Sequence, residues 1–192
     1  MTGGGSLAYV LWHWRRPQVA AEAYETQLSA FHAALAAIPP AGFSHSISAA
    51  VGGVPWANGG ADAHEDWYFL RDGAALDSLD ASVARGRRQQ AHDAAATGAA
   101  SGTAGLYRAR LGSPLAAPRH AVWLSRTGGV SYDEWFALLA PHVQEGESVL
   151  WMRRMVLGPT EFCLQSTTAI ELPPPLGAPG VALRTTWSGA AR

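Results

Sequence analysis

Apolar and polar positions change period several times along the chain, and each change marks an element. Leu7 to Arg15 is a short aromatic run between Gly3-Gly4-Gly5 and Pro17, which predicts a strand. From Pro17 the spacing lengthens: Tyr24, Leu28, Phe31, Leu35 and Ile38 form one apolar stripe of a helix that Pro39-Pro40 must end. Phe43 to Val51 alternates Phe43, His45, Ile47 and Ala49 with Ser44, Ser46 and Ser48, the period of a strand with two unlike faces. The stretch His64 to Leu79, HEDWYFLRDGAALDSL, organises the first half. It reads as a buried strand over Asp66 to Arg71 that turns at Asp72-Gly73 into a helix burying Leu76, Leu79 and Val83. Gly86 weakens that helix, alanine carries it on toward Gly102, and Gly105 to Leu111 predicts a fourth strand.

The second half repeats the theme in shorter form. His120 to Arg126 predicts a strand, and Ser131 and Glu134 have the spacing of a capping box ahead of a helix ending near Pro141. Glu147 to Leu157 and Thr160 to Thr168 form a hairpin across Gly158-Pro159, and Val181 to Ser188 is a last strand. Pro173-Pro174-Pro175 stands where a second helix would run. FALLA from Phe136 matches FHAAL from Phe31 in type, and EFCLQSTTAIEL from Glu161 echoes the organising stretch. These recurrences divide the chain into a first unit over 1–113 and an abbreviated second unit over 119–192. A strand, helix, strand, strand, helix, strand order is the ferredoxin-like arrangement. Two such units with tryptophan-rich strands resemble the dimeric α/β-barrel superfamily, with both halves in one chain. The resemblance implies an α+β fold of two ferredoxin-like units with antiparallel sheets, the second lacking a full second helix. That superfamily holds small-substrate monooxygenases, lactone isomerases, haem-dependent enzymes and stress-response proteins, so the fold alone does not choose an activity.

Composition narrows the partners. The content is 48% hydrophobic and 15% charged with a net charge of −1, as expected of a packed globular protein. All 14 basic residues are arginine, and only Arg85, Arg87 and Arg88 cluster, too few to track phosphates, so nucleic acid is not expected as a partner. No apolar run reaches about 18 residues, so no membrane span is expected, and the start of the chain lacks a basic leader, which reads as cytoplasmic. The single cysteine, Cys163, excludes an internal disulfide and reads as buried packing. No phosphate-loop, dinucleotide, zincin or hydrolase motif occurs. No cofactor and no metal is expected, and a homodimer is left open.

The candidate chemistry follows from the topology. In a split βαβ unit the end of the first strand, the start of the third and the arrival of the second helix share one end. That gathers His13, His64, Asp66, His92 and Asp93 as candidate catalytic residues, since an imidazole beside a carboxylate accepts a proton near neutral pH. Trp14, Trp56, Trp67 and Tyr107 are the candidate ligand-binding residues, with Trp56 in the glycine-rich stretch Gly52 to Ala63 as a mobile plug over the site. Two classes fit these residues. One is a small-molecule enzyme, an oxygenase or isomerase without a nucleotide cofactor, acting on a small aromatic or apolar substrate. The other is a non-catalytic ligand-binding or oligomerisation protein of stress-response type, and a haem-binding variant ranks third.

Overall fold

Strands of period two, each with one apolar face, bury that face best by closing on one another, and the computed structural model shows that closure. It describes residues 6–54, 56, 63–83, 86–154, 160–174, 176 and 179–190. The strands are β1 (Leu7–Arg15), β2 (Phe43–Val51), β3 (Ala63–Leu70), β4 (Ala99–Leu111), β5 (His120–Leu124), β6 (Ser148–Arg153), β7 (Phe162–Ser166) and β8 (Gly180–Ala190). The helices are α1 (Ala21–Ala37), α2 (Gly73–Val83), α3 (Gly86–Gly98) and α4 (Tyr132–Leu139). The strands form a closed antiparallel barrel in the order β1-β3-β2-β8-β5-β7-β6-β4. The first half therefore reads β4-β1-β3-β2 and the second β8-β5-β7-β6, the same order, with seams at β2–β8 and β4–β6. The predicted α+β barrel architecture is the one observed. Because the barrel closes within one chain, no partner chain is needed to complete it.

Alternation along each strand sorts the side chains into two regions. Ala8, Val10 and Trp12 of β1 point into the barrel with Trp67, Phe69, Tyr107, Trp123 and Trp151, a packed aromatic interior of the size eight strands enclose. Gly105 makes this possible, since a Cβ there would lie 2.7 Å from the Tyr107 ring. Leu7, Tyr9 and Leu11 point the other way, where α1 and α2 cover them through Phe31, Leu35, Ala75 and Leu79. On the second half α4 supplies Trp135 and Leu139, and Ile170, Leu172 and Leu176 from the proline-rich stretch cover the rest. That stretch does with irregular chain what a second helix would otherwise do.

Several boundaries differ from the sequence reading. The Asp72-Gly73 corner holds because the Asp72 carboxylate accepts from the Ala75 amide at 3.0 Å, capping α2. The helix run then divides in two, and Gly86 has φ +63°, a left-handed value that a continuing helix does not take. β4 begins at Ala99, well before Gly105, because pairing with β1 from Arg15 down to Leu7 overrides the helix propensity of the alanines. The capping box of α4 forms: the Ser131 amide donates to Glu134 at 2.8 Å, and the Glu134 amide donates to the Ser131 hydroxyl. Ser131→Ala is expected to lower stability by about 1 kcal/mol, read as a fall of roughly 2–4 °C in thermal unfolding. No change would mean that packing alone holds α4. No helix among the described residues is long and apolar enough to cross a membrane.

Candidate functional site

Strand register builds the site around Asp66. On the helix-facing side of the first sheet, Asp66 lies opposite Leu11 of β1 and Ser48 of β2, so its diagonal neighbours are His13 and Ser46. Diagonal pairs on one face lie within reach of long side chains. α1 adds Tyr24 and His32, both buried on its inner face. The result is a hub in which His13 Nε2 stands 3.1 Å and His32 Nε2 3.2 Å from the same Asp66 oxygen, and the Tyr68 hydroxyl donates to it at 3.1 Å. Both imidazole approaches lie off the line of an ideal hydrogen bond, so each ring N–H meets the carboxylate charge in a bent, weakened contact. Two arms leave the hub: His13 Nδ1 meets the Tyr24 hydroxyl at 2.6 Å, and His32 Nδ1 meets the Ser46 hydroxyl at 2.8 Å. The tautomers are assigned from these partners. A proton at each Nε2 faces the carboxylate, so each Nδ1 accepts from its hydroxyl.

Electrostatics fix the charge of the hub. Burial pushes the Asp66 carboxyl up, but the two imidazoles, His32 first, overcome it and hold the group well below the usual carboxylate range. The Tyr24 phenol is raised by burial and then by the charge of Asp66, so it stays protonated. His64 lies directly opposite His13 in the β1–β3 ladder, its ring stacked on His13 with centroids 5.8 Å apart. Burial, then the neighbouring His13 imidazole, push His64 down. Its Nε2 is 3.6 Å from Glu25, whose carboxylate the Arg184 guanidinium binds with two nitrogens. Cys163 is buried and its thiol is pushed well up by burial, as packing requires.

A cavity of about 210 Å³ opens beside this hub, lined by His13, Tyr24 and Asp66 on the polar side and by Leu11, Leu28, Phe31 and Ala95 on the apolar side. The Ser46 arm has the residue types of a hydrolytic triad, but Ser46 does not line the cavity, so no substrate reaches it. Asp66 Oδ1 accepts from no described group. Among the described residues no group of three or more histidine, cysteine, aspartate or glutamate side chains has a metal-binding arrangement. The imidazoles of His13 and His32 converge on a carboxylate oxygen rather than on a common empty point.

The structure brings His13, His64 and Asp66 together, but of these three only His13 and Asp66 line the cavity. His92 lines the same cavity from α3, while Asp93 is exposed and bonds His92 at 3.2 Å. The four aromatic candidates are not brought to the cavity. Trp67 and Tyr107 pack in the barrel interior and Trp14 and Trp56 pack against that cluster; strand alternation puts Trp14, Trp67 and Tyr107 across the sheet from His13. Trp56 meets Trp12 and Trp123 edge-on at 5.5 and 5.0 Å, so it packs against the barrel core rather than over His13. Residues 55 and 57–62 of the expected lid lie outside the described residues. Sequence reasoning missed Tyr24 and His32. Both sit on the inner face of α1 with Leu28 and Leu35, and a histidine on a buried stripe was the available signal.

The barrel interior holds a second buried carboxylate. Glu65 accepts from the indole nitrogens of Trp67 at 2.9 Å and Trp12 at 3.2 Å. Burial dominates the two indole bonds and pushes its carboxyl up to about 7, with the Asp66 charge adding to the rise.

No protein-family model and no curated protein matches the sequence. Solved structures do match its shape. A candidate monooxygenase from Fusobacterium nucleatum subsp. nucleatum superposes with a TM-score of 0.62 at 7% identity, covering 100% of this chain and 98% of that one. An anthrone oxidase-like protein gives 0.54 at 10% identity, covering 99% and 94%. A candidate chlorite dismutase gives 0.53 at 15% identity, covering 94% of each. With the strand order and barrel closure above, these likenesses establish that the chain has the dimeric α/β-barrel fold, with both halves of the barrel in one polypeptide.

Proposed function

We propose that the chain is an oxygenase-type enzyme that binds a small aromatic substrate between the first sheet and α1 and α3 and removes an acidic proton from it. One observation carries the reading: the Tyr24–His13–Asp66 relay lines a mostly apolar cavity, with His92 on its far wall. His13 has a partner on each ring nitrogen, so it acts through Tyr24. A substrate O–H or acidic C–H gives its proton to the Tyr24 oxygen as the Tyr24 proton passes to His13 Nδ1. Tyr24 ends neutral, the electron pair stays on the substrate, and His13 becomes an imidazolium held by the Asp66 carboxylate. A substrate anion of this kind is electron-rich enough to react with dioxygen directly. For an activated methylene, one methylene and one dioxygen give one carbonyl and one water. Dioxygen is the oxidant: one of its atoms stays in the carbonyl, and the other leaves as water with the two methylene hydrogens. The solved structures of monooxygenase and anthrone oxidase-like description support this class. Haem does not suit His13, both of whose ring nitrogens already face a partner and leave no free nitrogen for an axial bond.

Oxygen uptake with anthrone is the test. Tyr24→Phe and His13→Gln are each expected to lower kcat by about 10²–10⁴ while the far-UV circular dichroism stays native. Full uptake by Tyr24→Phe would remove the relay. A second reading, ligand binding without turnover, draws on the Ser46–His32–Asp66 arm, in which the same geometry is closed to substrate and serves structure alone. Tight binding of anthrone with no uptake by the native chain would select it.

A further inference from the structure

The cavity beside Tyr24 does not end at Phe31. A second cavity of about 460 Å³ adjoins it and shares four of its walls, Leu11, Phe31, Tyr68 and His92. The helix-facing residues of β1 give the direction: His13 lines the inner cavity, Leu11 both, and Tyr9 the outer one. Four residues of strand at about 3.3 Å each make a trough of roughly 13 Å, longer than a single aromatic ring. Phe31 narrows it where the two cavities meet. Its ring stands edge-on to His92 with centroids 5.5 Å apart and tilts against Tyr68 at 6.4 Å. Phe31 is buried, whereas the His92 side chain is 41% exposed, so the waist has one fixed and one solvent-facing wall. Beyond the waist, Leu76, Leu79 and Val83 of α2 make an apolar wall, with Asp77 and Asp80 of the same helix at its rim.

We infer that the ligand is an elongated molecule of two or more fused rings lying along β1 with its acidic end at Tyr24, and that the Phe31–His92 waist sets how far it extends. The inference rests on the proposed use of the inner cavity as the ligand site. It adds two specificity-determining residues, Phe31 and His92, and a binding chamber on α2.

Calorimetric titration of the intact chain with phenol, 2-naphthol and 2-anthrol tests it without relying on turnover. Affinity is expected to rise about tenfold or more with each added ring, the scale that apolar burial gives. Leu76→Trp, which fills the outer chamber, should weaken 2-anthrol at least tenfold and leave phenol within twofold. Phe31→Trp, at a wall shared by both cavities, should weaken 2-anthrol more than phenol. Phe31 is buried, so Leu76→Trp, at a half-buried position, keeps the test decisive if Phe31→Trp does not fold. Equal affinity for the three ligands, or a Leu76→Trp loss as large for phenol as for 2-anthrol, would overturn the inference. The expected ligand pattern with no oxygen uptake would support the elongated site and sink the proton-abstraction reading. Uptake that needs His13 but ignores both tryptophan variants would do the reverse.

Discussion

Asp66→Asn is expected to lower the unfolding free energy by about 3–5 kcal/mol, the range for breaking a buried network at its charged member. For a chain of this length that is a fall of roughly 6–20 °C in Tm. Asp66 is buried, faces two imidazoles and accepts from Tyr68, and an asparagine would turn an amide donor toward groups that are themselves donors. The pH dependence has a definite sign. The folded Asp66 value is depressed, so its contribution is present above the unfolded value near 3.8 and is lost as pH falls through the folded one. The gap between native and variant should therefore hold steady from pH 5 upward and close in acid. Denaturant unfolding at pH 7 that puts the two within 1 kcal/mol, on the order of surface substitutions, would show that Asp66 does not anchor the sheet to α1.

Much of the fold was legible because its determinants are local and periodic. β1 and β2 fall on the residues that their turn signals and alternation bracket, and α1 ends before Pro39-Pro40 as its stripe required. β4 was only partly legible, since Ala99 to Ala104 carry no strand signal and are drawn into the sheet by β1. The site was half legible for a different reason. Topology alone brought His13, His64 and Asp66 to one end, but alternation decides the face, and it separates His13 from Trp14 and Asp66 from Trp67. Reading an end of a sheet without its parity merged two regions, one aromatic and packed, the other holding the cavity. Tyr24 and His32 escaped because a helical stripe of apolar residues reads as core, and the polar tips that complete the hub show only once α1 is seated on β3.

The same parity that hides Glu65 from the cavity gives the chain its other large pH response. An unfolded Glu65 titrates near 4.5 and the folded one at about 7. Below the lower value both states hold the proton and nothing is lost. Between the two only the folded state holds it, so each rise in pH favours unfolding, and above the upper value the loss is complete. At about 1.4 kcal/mol per pH unit the whole loss is about 3 kcal/mol. Glu65→Gln removes the titration. At pH 5 the variant should be the less stable chain, because Trp12 and Trp67 donate to different oxygens of Glu65 and an amide keeps only one of them. From pH 5 to 8 it should gain on the native chain by about 2–3 kcal/mol. Parallel stability curves over that range would mean that Glu65 titrates as an ordinary carboxylate. The charge of Asp66, across the sheet, contributes to holding Glu65 up. In an Asp66→Asn background the native pH loss should therefore begin at the same pH, which the unfolded chain sets, and end at lower pH, which ties the packed interior of the barrel to the hub on its outer face.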